Sequence, residues 1–454
     1  MNAAPGVIIA AAASGSGKTT IATGLIGALS RAGHRVAPFK VGPDFIDPGY
    51  HGLAAGRPGR NLDSVLVGED LIGPLYRHGA RDSDIAVVEG VMGLFDGRID
   101  ERFTVPARGS TAQIARLLQA PVVLVLDGRG QSQTIAAVLH GLATFEQGVR
   151  IGGVILNRVG SPRHEQVLRQ ACEAVGVPVL GAVPRRDELS VPSRHLGLVT
   201  ATEHGDQACA AVAAMTDLIA RNVDIPAVRA LARSAVTGAA WSPGRAVGDP
   251  VDGRPVVAVA AGAAFTFGYP EYDEVLRAAG AEVVAFDPLS DTLPARTAAL
   301  VLPGGFPEQY SAELSANVTL RQEIRELARW APVHAECGGL TYLMDDLDGT
   351  PMCGVLPGSA RFTARLALGY RDGVAAVDSS LFSAGQRVVG HEFHRTTVDF
   401  GPAQQHAWVL SGGAGKPVWD GAVRGGVHAG YLHTHPAAHP HAIRRLVALG
   451  SAGD

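Results

Sequence analysis

A cysteine between a strand-like run and two glycines gives the first indication of chemistry. Cys337 lies in the segment PVHAECGGLTYL, and an amphipathic helical pattern begins directly after it. A sharp strand-to-helix turn exposes a nucleophile and directs the neighbouring N–H groups towards a developing oxyanion. A thiol at the start of a helix is also expected to have a lowered pKa. The segment therefore predicts a nucleophilic thiolate at Cys337, with the N–H of Gly338 as an oxyanion donor.

Two other segments offer groups that would serve such a nucleophile. The strand-like run in LVLPGGFPEQY ends at Gly304 and Gly305, whose N–H groups would complete an oxyanion hole. The segment VHAGYLHTHP carries His433 and His435 after another strand-like run. A histidine of this pair, brought near Cys337 by the fold, would act as the base that removes the thiol proton.

A second candidate site is the segment AASGSGKT at Ala12 to Thr19, which fits the phosphate-loop pattern G-x-x-x-x-G-K-[ST] except at Ala12. Because a strand-like run precedes it and a helical pattern follows, its backbone N–H groups are expected to hold phosphate oxygens. Lys18 would neutralise the outer phosphates, and the Thr19 hydroxyl would ligate magnesium. Asn157, in ILNR after a later strand, would offer its amide to the nucleotide base or form a turn. The other predicted ATP-binding residues are Ser14, Gly15, Ser16, Gly17 and Thr20.

Charged residues follow the second and third predicted strands. The segment FKVGPDFIDPGY carries Lys40, Asp44 and Asp47, and VVEGVMGLFDG carries Glu89 and Asp96. Loops at the carboxyl ends of parallel strands converge on one crevice, so these acids are expected to meet the phosphate loop there. Carboxylates together with nucleotide phosphates are the usual ligands of magnesium. The pattern therefore predicts a magnesium site beside the phosphate loop.

These candidate sites need a scaffold of parallel strands, and the chain supplies two series of them. Apolar runs such as VIIAAA and PVVLVLD alternate with helical patterns from end to end. This alternation predicts an α/β fold with mostly parallel, doubly wound sheets. A chain of 454 residues is expected to form two or three domains. The Gly- and Pro-rich segment 236–254 is the predicted linker between domains at residues 1–235 and 255–454.

The composition excludes several classes of function. The net charge is −4 and the hydrophobic fraction is 46%, so neither a nucleic-acid partner nor a membrane partner is expected. The apolar start GVIIAAAA runs directly into the phosphate loop without a basic segment before it, which favours a first strand over a signal peptide. The four cysteines are widely spaced and form no CxxC pair, as is typical of a reducing compartment. We therefore expect a cytoplasmic protein.

The motifs of both halves resemble known families. PGGFPE, AECGGL and GYLHTH together resemble class I glutamine amidotransferase domains, which are flavodoxin-like. SGSGKTT, FKVGPDFIDPGYH, VEGVMGLFDG, ILNRV and RHLGLV are similar to the dethiobiotin synthetase-like ATPase domain. Joined in this order, with GHEFHRT at Gly390 to Thr396, they resemble the cobyrinic acid a,c-diamide synthase family, which includes enzymes acting on hydrogenobyrinic acid.

The resemblance implies a ligase of cobalamin biosynthesis that uses glutamine as its nitrogen donor. Cys337 would release ammonia from glutamine through a thioester, with His433 as the base. Mg-ATP would phosphorylate a side-chain carboxylate of the corrinoid, and ammonia would then displace the phosphate. The cycle would run once for the a side chain and once for the c side chain.

The resemblance also implies roles for the charged residues of the amino-terminal half. Asp44, Asp47 and Glu89 match the acidic positions of the synthetase site, where Lys40 also lies. Magnesium would be held by Thr19, Asp47 and Glu89. The expected partners are the corrinoid, glutamine and ATP, and a homodimer is a further expectation because related ATPase domains often pair.

Three positions depart from the family pattern. Ala12 replaces the first glycine of the phosphate loop. The residue two positions after His433 is His435 and not a glutamate, so either a Cys–His pair acts alone or an acid from elsewhere orients the base. Ala261 and Gly262 stand where many relatives have a charged pair, and no role is assigned to them.

Two rival interpretations start from the same motifs. A partitioning or regulatory P-loop ATPase would carry a second lysine early in the loop, where this chain has Ala13. A cobyric acid synthase or a nickel-sirohydrochlorin diamide synthase would share the amidotransferase chemistry but act on another tetrapyrrole. The acids of GPDFIDP and the length of the chain favour the a,c-diamide synthases, by resemblance. The sequence leaves open whether hydrogenobyrinate or cobyrinate is the substrate.

Overall fold

The structure is a computed structural model of the chain, and it describes residues 3–99, 104–185, 193–194, 197–198, 201–401, 405–412 and 416–452. The chain divides into two compact units, Met1–Trp241 and Ser242–Asp454. The division falls inside the segment 236–254, which the composition favours as a linker. The side chains of the RHLGLV motif, at residues 194–199, lie outside the described part.

Strands and helices alternate along the described part of the amino-terminal unit. Its strands are β1 (Gly6–Ala11), β2 (Val36–Val41), β3 (Arg60–Leu62), β4 (Ile85–Glu89), β5 (Val122–Asp127), β6 (Ile151–Val159), β7 (Val179–Pro184), β8 (Ser193–Arg194) and β9 (Gly197–Leu198). Its helices are α1 (Lys18–Arg31), α2 (Asp47–Ala55), α3 (Glu69–Gly79), α4 (Thr111–Leu118), α5 (Thr134–Thr144), α6 (Pro162–Ala174), α7 (Ala201–Asn222) and α8 (Ile225–Leu231).

A parallel sheet forms the centre of the amino-terminal unit. Its strand order is β3-β2-β4-β1-β5-β6-β7, and every neighbouring pair is parallel. The residues of β1, GVIIAA, are all buried, as is usual where helices cover both faces of a parallel sheet. Leu25 of α1 and Ile219 of α7 belong to the core cluster that includes residues of this sheet. The loops after β1, β2 and β4 leave the sheet at its carboxyl end, and they carry the phosphate-loop and acidic motifs.

The carboxyl-terminal unit begins with a short helix, α9 (Pro243–Val247), inside the predicted linker. Its strands are β10 (Val256–Ala260), β11 (Glu282–Phe286), β12 (Thr297–Leu302), β13 (Val333–Glu336), β14 (Met344–Leu347), β15 (Thr350–Pro351), β16 (Leu356–Ala375), β17 (Arg387–Phe400), β18 (Trp408–Ser411), β19 (Pro417–Asp420), β20 (Ala422–Arg424) and β21 (Val427–Gly430). Its other helices are α10 (Pro270–Ala278), α11 (Ser311–Ala316), α12 (Val318–Leu327), α13 (Gly338–Leu343) and α14 (Pro440–Ser451), with a 3₁₀ turn at Pro307–Tyr310. Across the described residues of both units, no helix has the length and apolar character needed to cross a membrane.

Two sheets organise the described part of the carboxyl-terminal unit. The first has the order β11-β10-β12-β13-β21-β20 and is parallel except for the pair β20–β21, in agreement with the predicted α/β fold. The second has the order β15-β14-β16-β18-β19, with β17 paired to β16, and is largely antiparallel. The sequence did not predict this second sheet. Its long strands β16 and β17 are mostly half-exposed or exposed, so they lack the continuous apolar runs that reveal buried strands.

Candidate active sites in the two units

The phosphate loop connects β1 to α1 in the amino-terminal unit. Gly17, the residue before α1, has φ 92° and ψ 24°, a left-handed conformation that glycine adopts without steric cost. A Cβ atom at this position would also collide with the side-chain amide of Asn157. Ser14 and Gly15 are exposed at the tip of the loop, and Thr20 lies in the first turn of α1. An anion can therefore approach the backbone N–H groups of the loop from solvent.

The Asn157 side chain supports the loop. Its Nδ2 donates to the carbonyl oxygen of Ser16 at 2.9 Å, and its Oδ1 accepts the N–H of Arg158 at 2.9 Å. The Ser16 hydroxyl in turn donates to the carbonyl oxygen of Ala13 at 2.9 Å. The sequence left open whether this amide contacts a nucleotide base or forms a turn. In the structure the amide bonds to the loop, beside which β6 ends.

Lys18 lies in the interior of the loop. It is 7% exposed, and its Nζ donates to the carbonyl oxygens of Met92 at 2.6 Å and Ala13 at 3.2 Å. Burial lowers the pKa of Lys18, and the nearby ammonium of Lys40 adds to this effect. Neutral carbonyl groups are weaker partners for an ammonium than ionised oxygens. Lys18 therefore retains a strong preference for an anion such as phosphate.

The charged residues predicted around this loop form one buried cluster. Lys40 Nζ lies 2.5 Å from Asp47 Oδ2 and 2.9 Å from Glu89 Oε1. The Thr19 hydroxyl donates to Glu89 Oε1 at 2.7 Å and to Asp47 Oδ2 at 3.3 Å. His51, which the sequence did not point out, places Nε2 2.7 Å from Glu89 Oε2. The structure thus brings together the predicted magnesium ligands and adds a lysine and a histidine between them.

The two carboxylates of the cluster differ in their proton affinity. Burial alone would raise the pKa of Glu89, but Lys40, His51 and the Thr19 hydroxyl outweigh it and lower the pKa to about 2. Burial and the nearby carboxylate of Asp44 raise the pKa of Asp47 to about 7, despite its contact with Lys40. Glu89 is therefore ionised at neutral pH, whereas Asp47 is only partly ionised and would release its proton on binding a further cation.

Asp44 and Asp96 act within their own loops. Asp44 Oδ1 accepts the N–H groups of Ile46 at 2.7 Å and Asp47 at 3.0 Å, which fixes the turn into α2. Asp96 Oδ2 accepts the N–H of Gly93 at 2.9 Å. Asp44 also acts on the cluster through its charge, since it helps to raise the pKa of Asp47.

Cys337 lies at a strained turn between β13 and α13. Its backbone has φ 51° and ψ −103°, outside the regions that residues with a Cβ atom normally adopt. Such strain costs about 1–3 kcal/mol and is concentrated at functional sites. The Cys337 N–H donates to the carbonyl oxygen of Gly430 at 2.8 Å, which holds the turn against β21. The structure therefore contains the strand-to-helix turn that the sequence predicts.

The Cys337 thiol is more buried and less acidic than the sequence suggests. Cys337 is 3% exposed, and its Sγ lies 3.7 Å from the carbonyl oxygen of Phe393. Burial raises the pKa of the Cys337 thiol well above its usual range, and the charge of Glu308 adds to this, whereas the N–H of Gly338 opposes it. The predicted lowering of the pKa is therefore wrong. Helix α13 has only six residues, and its N-terminus stabilises a thiolate less than burial disfavours it.

Three segments converge around Cys337. A Cβ atom added to Gly338 would lie 3.0 Å from the backbone nitrogen of Gly305, so the two predicted oxyanion donors are neighbours. A Cβ atom added to Gly304 would lie 2.5 Å from Cε1 of His433. Three segments therefore meet here: the loop after β12, the turn at Cys337 and the segment after β21. They can approach this closely because Gly304 and Gly338 have no Cβ atom.

His433 contacts an acid that the sequence did not point out. His433 is fully buried, and its Nδ1 lies 3.3 Å from Oε2 of Glu336, the residue before Cys337. His435, at the position of the usual acid, instead accepts the N–H of Ala437 at 3.2 Å through its Nδ1. Of the two alternatives that the sequence left open, the structure supplies an acid from elsewhere in the chain.

The signal for Glu336 lies in the composition of β13. The strand VHAE is buried throughout, and it places His334 and Glu336 on the same face because they are two residues apart. Buried polar side chains need hydrogen-bond partners, so two of them on one strand indicate a polar network. The residues that follow His433 in the sequence give no indication of this network, because its acid lies in β13.

Comparisons with known proteins match the same two-part arrangement. Residues 7–199 match the family described as the CobQ/CobB/MinD/ParA nucleotide binding domain, and residues 256–441 match the CobB/CobQ-like glutamine amidotransferase domain. The chain is 67% identical over 443 residues to the hydrogenobyrinate a,c-diamide synthase of Mycobacterium tuberculosis, with 97% of each chain covered. The chain belongs to the a,c-diamide synthase family.

Two further a,c-diamide synthases extend the comparison. The hydrogenobyrinate a,c-diamide synthase of Streptomyces coelicolor is 54% identical over 479 residues, covering 98% of this chain and 97% of the relative. The cobyrinate a,c-diamide synthase of Syntrophotalea carbinolica is 42% identical over 459 residues, covering 98% of both. The predicted family and the predicted pairing of a nucleotide-binding domain with a glutamine amidotransferase domain are therefore confirmed.

Proposed function

We propose that this protein uses ATP and glutamine to amidate the a and c side-chain carboxylates of hydrogenobyrinate in cobalamin biosynthesis. The observation that carries the proposal is the presence of two chemically different centres in one chain of the a,c-diamide synthase family. One centre has a phosphate loop beside buried lysines and carboxylates. The other has a cysteine at a strained turn beside a histidine and a glutamate. A ligase that takes its nitrogen from glutamine needs both.

The carboxyl-terminal centre would release ammonia from glutamine. His433 takes the proton from Sγ of Cys337 as the sulfur attacks the amide carbon, and the N–H groups of Gly305 and Gly338 stabilise the oxyanion. The amide nitrogen leaves as ammonia with the proton from His433, and water then cleaves the thioester to glutamate. Because burial raises the pKa of the thiol, we expect the proton to leave Cys337 as glutamine binds and not before.

The amino-terminal centre would make the substrate carboxylate reactive. A carboxylate is a poor acyl donor until one of its oxygens becomes part of a leaving group. Transfer of the terminal phosphoryl group of ATP to that oxygen gives an acyl phosphate, and attack by ammonia on the acyl carbon expels phosphate. Lys18, which rests on two carbonyl groups, would bind the phosphate oxygens and offset the charge that develops on them.

Magnesium is part of this proposal, and the residues present fit it. The Thr19 hydroxyl and the carboxylates of Asp47 and Glu89 are hard oxygen donors of the kind that magnesium prefers. Among the described residues no group of three or more His, Cys, Asp or Glu side chains is arranged to hold a metal ion, so nucleotide phosphates would have to complete the coordination. Bound magnesium would favour the ionised form of both carboxylates and neutralise the phosphates.

Hydrogenobyrinate is favoured over cobyrinate by the comparisons. The relatives with 67% and 54% identity are named for hydrogenobyrinate, whereas the relative named for cobyrinate is 42% identical. Cobyrinate is the second candidate substrate. A regulatory P-loop ATPase would not account for the strained cysteine or for the buried histidine beside Gly304.

Product analysis of the purified full chain tests the proposal. With Mg-ATP and glutamine, we expect mass spectrometry to show two successive amidations of hydrogenobyrinate, and a slower reaction with cobyrinate. Cys337→Ala should abolish amidation from glutamine but preserve amidation from added ammonium, because the acyl phosphate still forms. Cys209→Ala, at an exposed position, serves as the matched control. Loss of both activities in Cys337→Ala alone would contradict the assigned division of labour.

Pairing of two chains and a cytoplasmic location complete the proposal. Pairing rests on the family resemblance, since related ATPase domains often pair. The cytoplasmic location rests on the four free cysteines of the described residues, which are typical of a reducing compartment. Light scattering coupled to gel filtration should give the mass of a dimer. Fractionation of a native host should place the protein with the cytoplasmic enzymes.

A further inference from the structure

A line of four polar side chains leads to the candidate base in the carboxyl-terminal unit. The hydroxyl of Tyr272 lies 2.5 Å from Nδ1 of His334, and Nε2 of His334 lies 3.4 Å from Oε1 of Glu336. The other carboxylate oxygen of Glu336 lies 3.3 Å from Nδ1 of His433. The exposed fractions of His334, Glu336 and His433 are 5%, 9% and 0%. The line therefore runs through the interior of the unit.

Two strands of the parallel sheet and one helix place these residues in line. Helix α10 carries Tyr272, and β13 carries His334 and Glu336 on one face. Strand β21 is the parallel neighbour of β13, with Gly430 in register with Glu336, and His433 follows three residues later. The relative positions of the four side chains are thus set by the sheet and by a helix packed in the same unit.

Glu336 is held as an anion. Its Oε1 also accepts hydrogen bonds from the N–H and the hydroxyl of Thr434, at 3.2 Å each. Burial by itself would raise the pKa of Glu336, but the bonds with His334 and His433 outweigh it and hold the pKa below the usual range. A carboxylate with this many donors stays ionised at neutral pH.

The hydrogen-bond partners assign the protons along the line. Burial raises the pKa of Tyr272 well above its usual value, so its hydroxyl keeps its proton and donates to Nδ1 of His334. His334 then carries its proton on Nε2 and donates to Glu336, whose other oxygen accepts the Nδ1–H of His433. This arrangement leaves Nε2 of His433 as its basic nitrogen.

We infer that Glu336, supported by His334 and Tyr272, orients His433 for proton transfer with Cys337. Glu336 is a positioning residue, and it takes the place of the acid that other triads carry two residues after the histidine. The inference rests on the proposed release of ammonia from glutamine at Cys337. It adds to that proposal the group that fixes the tautomer of the base and stabilises its charged form.

Other titratable groups surround the reacting pair without replacing Glu336. Those that face Cys337, His433 or the supporting residues from other elements are Glu308, His391, Asp420, His428, Tyr431 and His439. Burial lowers the pKa of His391 and of His428 to about 3, so both are neutral at working pH. Glu336 is the carboxylate in direct contact with Nδ1 of His433, so its removal should change the proton affinity of His433 directly.

Glu336→Gln in the full chain tests the inference. Glutamine keeps the shape of the side chain but removes the charge that stabilises an imidazolium on His433. We expect glutamine-dependent kcat/KM to fall at least about 10²-fold, which is less than the roughly 10⁴-fold effect of the equivalent change in a serine protease triad. The acid limb of the pH profile of kcat/KM should move about 1 unit to lower pH, because without the charge of Glu336 the base His433 is lost to protonation only in more acidic solution.

Two comparisons separate this effect from a structural one. Amidation from added ammonium should stay within about twofold of the unmodified chain. Glu326→Gln, on the exposed side of α12, removes the same charge elsewhere in the unit and should change neither the rate nor the pH profile.

Tyr272→Phe decides the question if Glu336→Gln folds poorly. It removes one hydroxyl and keeps the ring, so His334 becomes free to move its proton to Nδ1 and to stop donating to Glu336. We expect a loss of about 3–10-fold in glutamine-dependent kcat/KM, the size of one hydrogen bond, with a smaller shift of the acid limb in the same direction.

The opposite results are distinct from a failure of the proposed function. If the unmodified chain releases ammonia from glutamine and Glu336→Gln keeps its rate within about threefold, or loses rate with an unmoved acid limb, the inference is wrong. An unchanged profile and rate in Tyr272→Phe would likewise overturn the role of the supporting residues. If the unmodified chain releases no ammonia from glutamine, the proposed function is wrong and the inference falls with it.

Discussion

Each unit of the protein buries a glutamate at the end of a central parallel strand and pairs it with a fully buried histidine. Glu89 ends β4 and lies 2.7 Å from Nε2 of His51, whereas Glu336 ends β13 and lies 3.3 Å from Nδ1 of His433. The remaining contacts differ. Glu89 also meets the ammonium of Lys40 at 2.9 Å, whereas Glu336 meets a hydroxyl, a backbone N–H and a second imidazole.

The two glutamates differ in the groups beside them: Glu89 lies beside an ammonium, whereas Glu336 lies beside imidazoles. Lys40 keeps its proton because Asp47 and Glu89 hold its pKa above the usual value although burial opposes them. This cluster is suited to polyphosphate and a divalent cation. Glu336 lies between the imidazoles of His334 and His433, so it is suited to stabilise a proton that arrives at His433. The same pair of residue types, at matching places in two sheets, thus fits phosphoryl transfer in one unit and proton transfer in the other.

Glu89→Gln should separate the two centres most strongly. ATP-dependent amidation is expected to fall about 10²–10³-fold with either glutamine or ammonium, because a proposed ligand of the magnesium that would offset the phosphate charge is lost. Ammonia release from glutamine, measured alone, should be retained, because its residues lie in the other unit. Glu173→Gln, on the exposed side of α6, is the matched control. An equal loss of glutamine hydrolysis would contradict the assignment of separate centres.

A smaller effect is expected in the alkylation rate of Cys337 compared with that of Cys209. Burial raises the pKa of Cys337, whereas Cys209 is exposed on α7. With iodoacetamide near pH 7 we expect Cys209 to react at least about tenfold faster, and the rate at Cys337 should still be rising at about pH 10. Peptide mass spectrometry follows both residues in one sample. A rate at Cys337 that levels off below about pH 7 would indicate a stable thiolate and contradict the raised pKa.

The smallest effect is expected at Asn157. Asn157→Ala removes one hydrogen bond to the phosphate loop, so the KM for ATP should rise about 3–10-fold while kcat changes little. Asn222→Ala, which removes an amide from the last turn of α7, is the control for loss of a side-chain amide in the same unit. A fall in kcat with an unchanged KM would mean that the Asn157 amide acts on the reacting phosphate and not on the loop.

The parallel sheets were predictable because their strands are buried on both faces. Runs such as VVLVL in β5 contain little else than apolar residues, and no other arrangement of short strands between helices buries them so completely. The antiparallel sheet of the carboxyl-terminal unit was not predicted. Half-exposed strands such as β17 mix polar and apolar residues, and their pairing depends on contacts distant in sequence.

The sites were predictable where a short motif fixes the backbone. The phosphate loop and the turn at Cys337 are local structures, so their residues identify them. The acid beside His433 was not predicted because the two residues are distant in sequence. Glu336 ends β13, and His433 follows β21, the neighbouring strand. The prediction of a lowered pKa for the Cys337 thiol was wrong for a similar reason. The start of a helix can be recognised from a few residues, whereas the burial that raises the pKa depends on the whole core.

Transfer of labelled nitrogen is the most direct test of two cooperating centres in one polypeptide. The full chain would be supplied with Mg-ATP, hydrogenobyrinate and glutamine that carries ¹⁵N in its side-chain amide. Both new amides of the product should carry ¹⁵N. When the Cys337→Ala chain receives the same labelled glutamine together with unlabelled ammonium, the new amides should carry no label. Product amides without label from the unmodified chain, or labelled amides from the Cys337→Ala chain, would contradict the account.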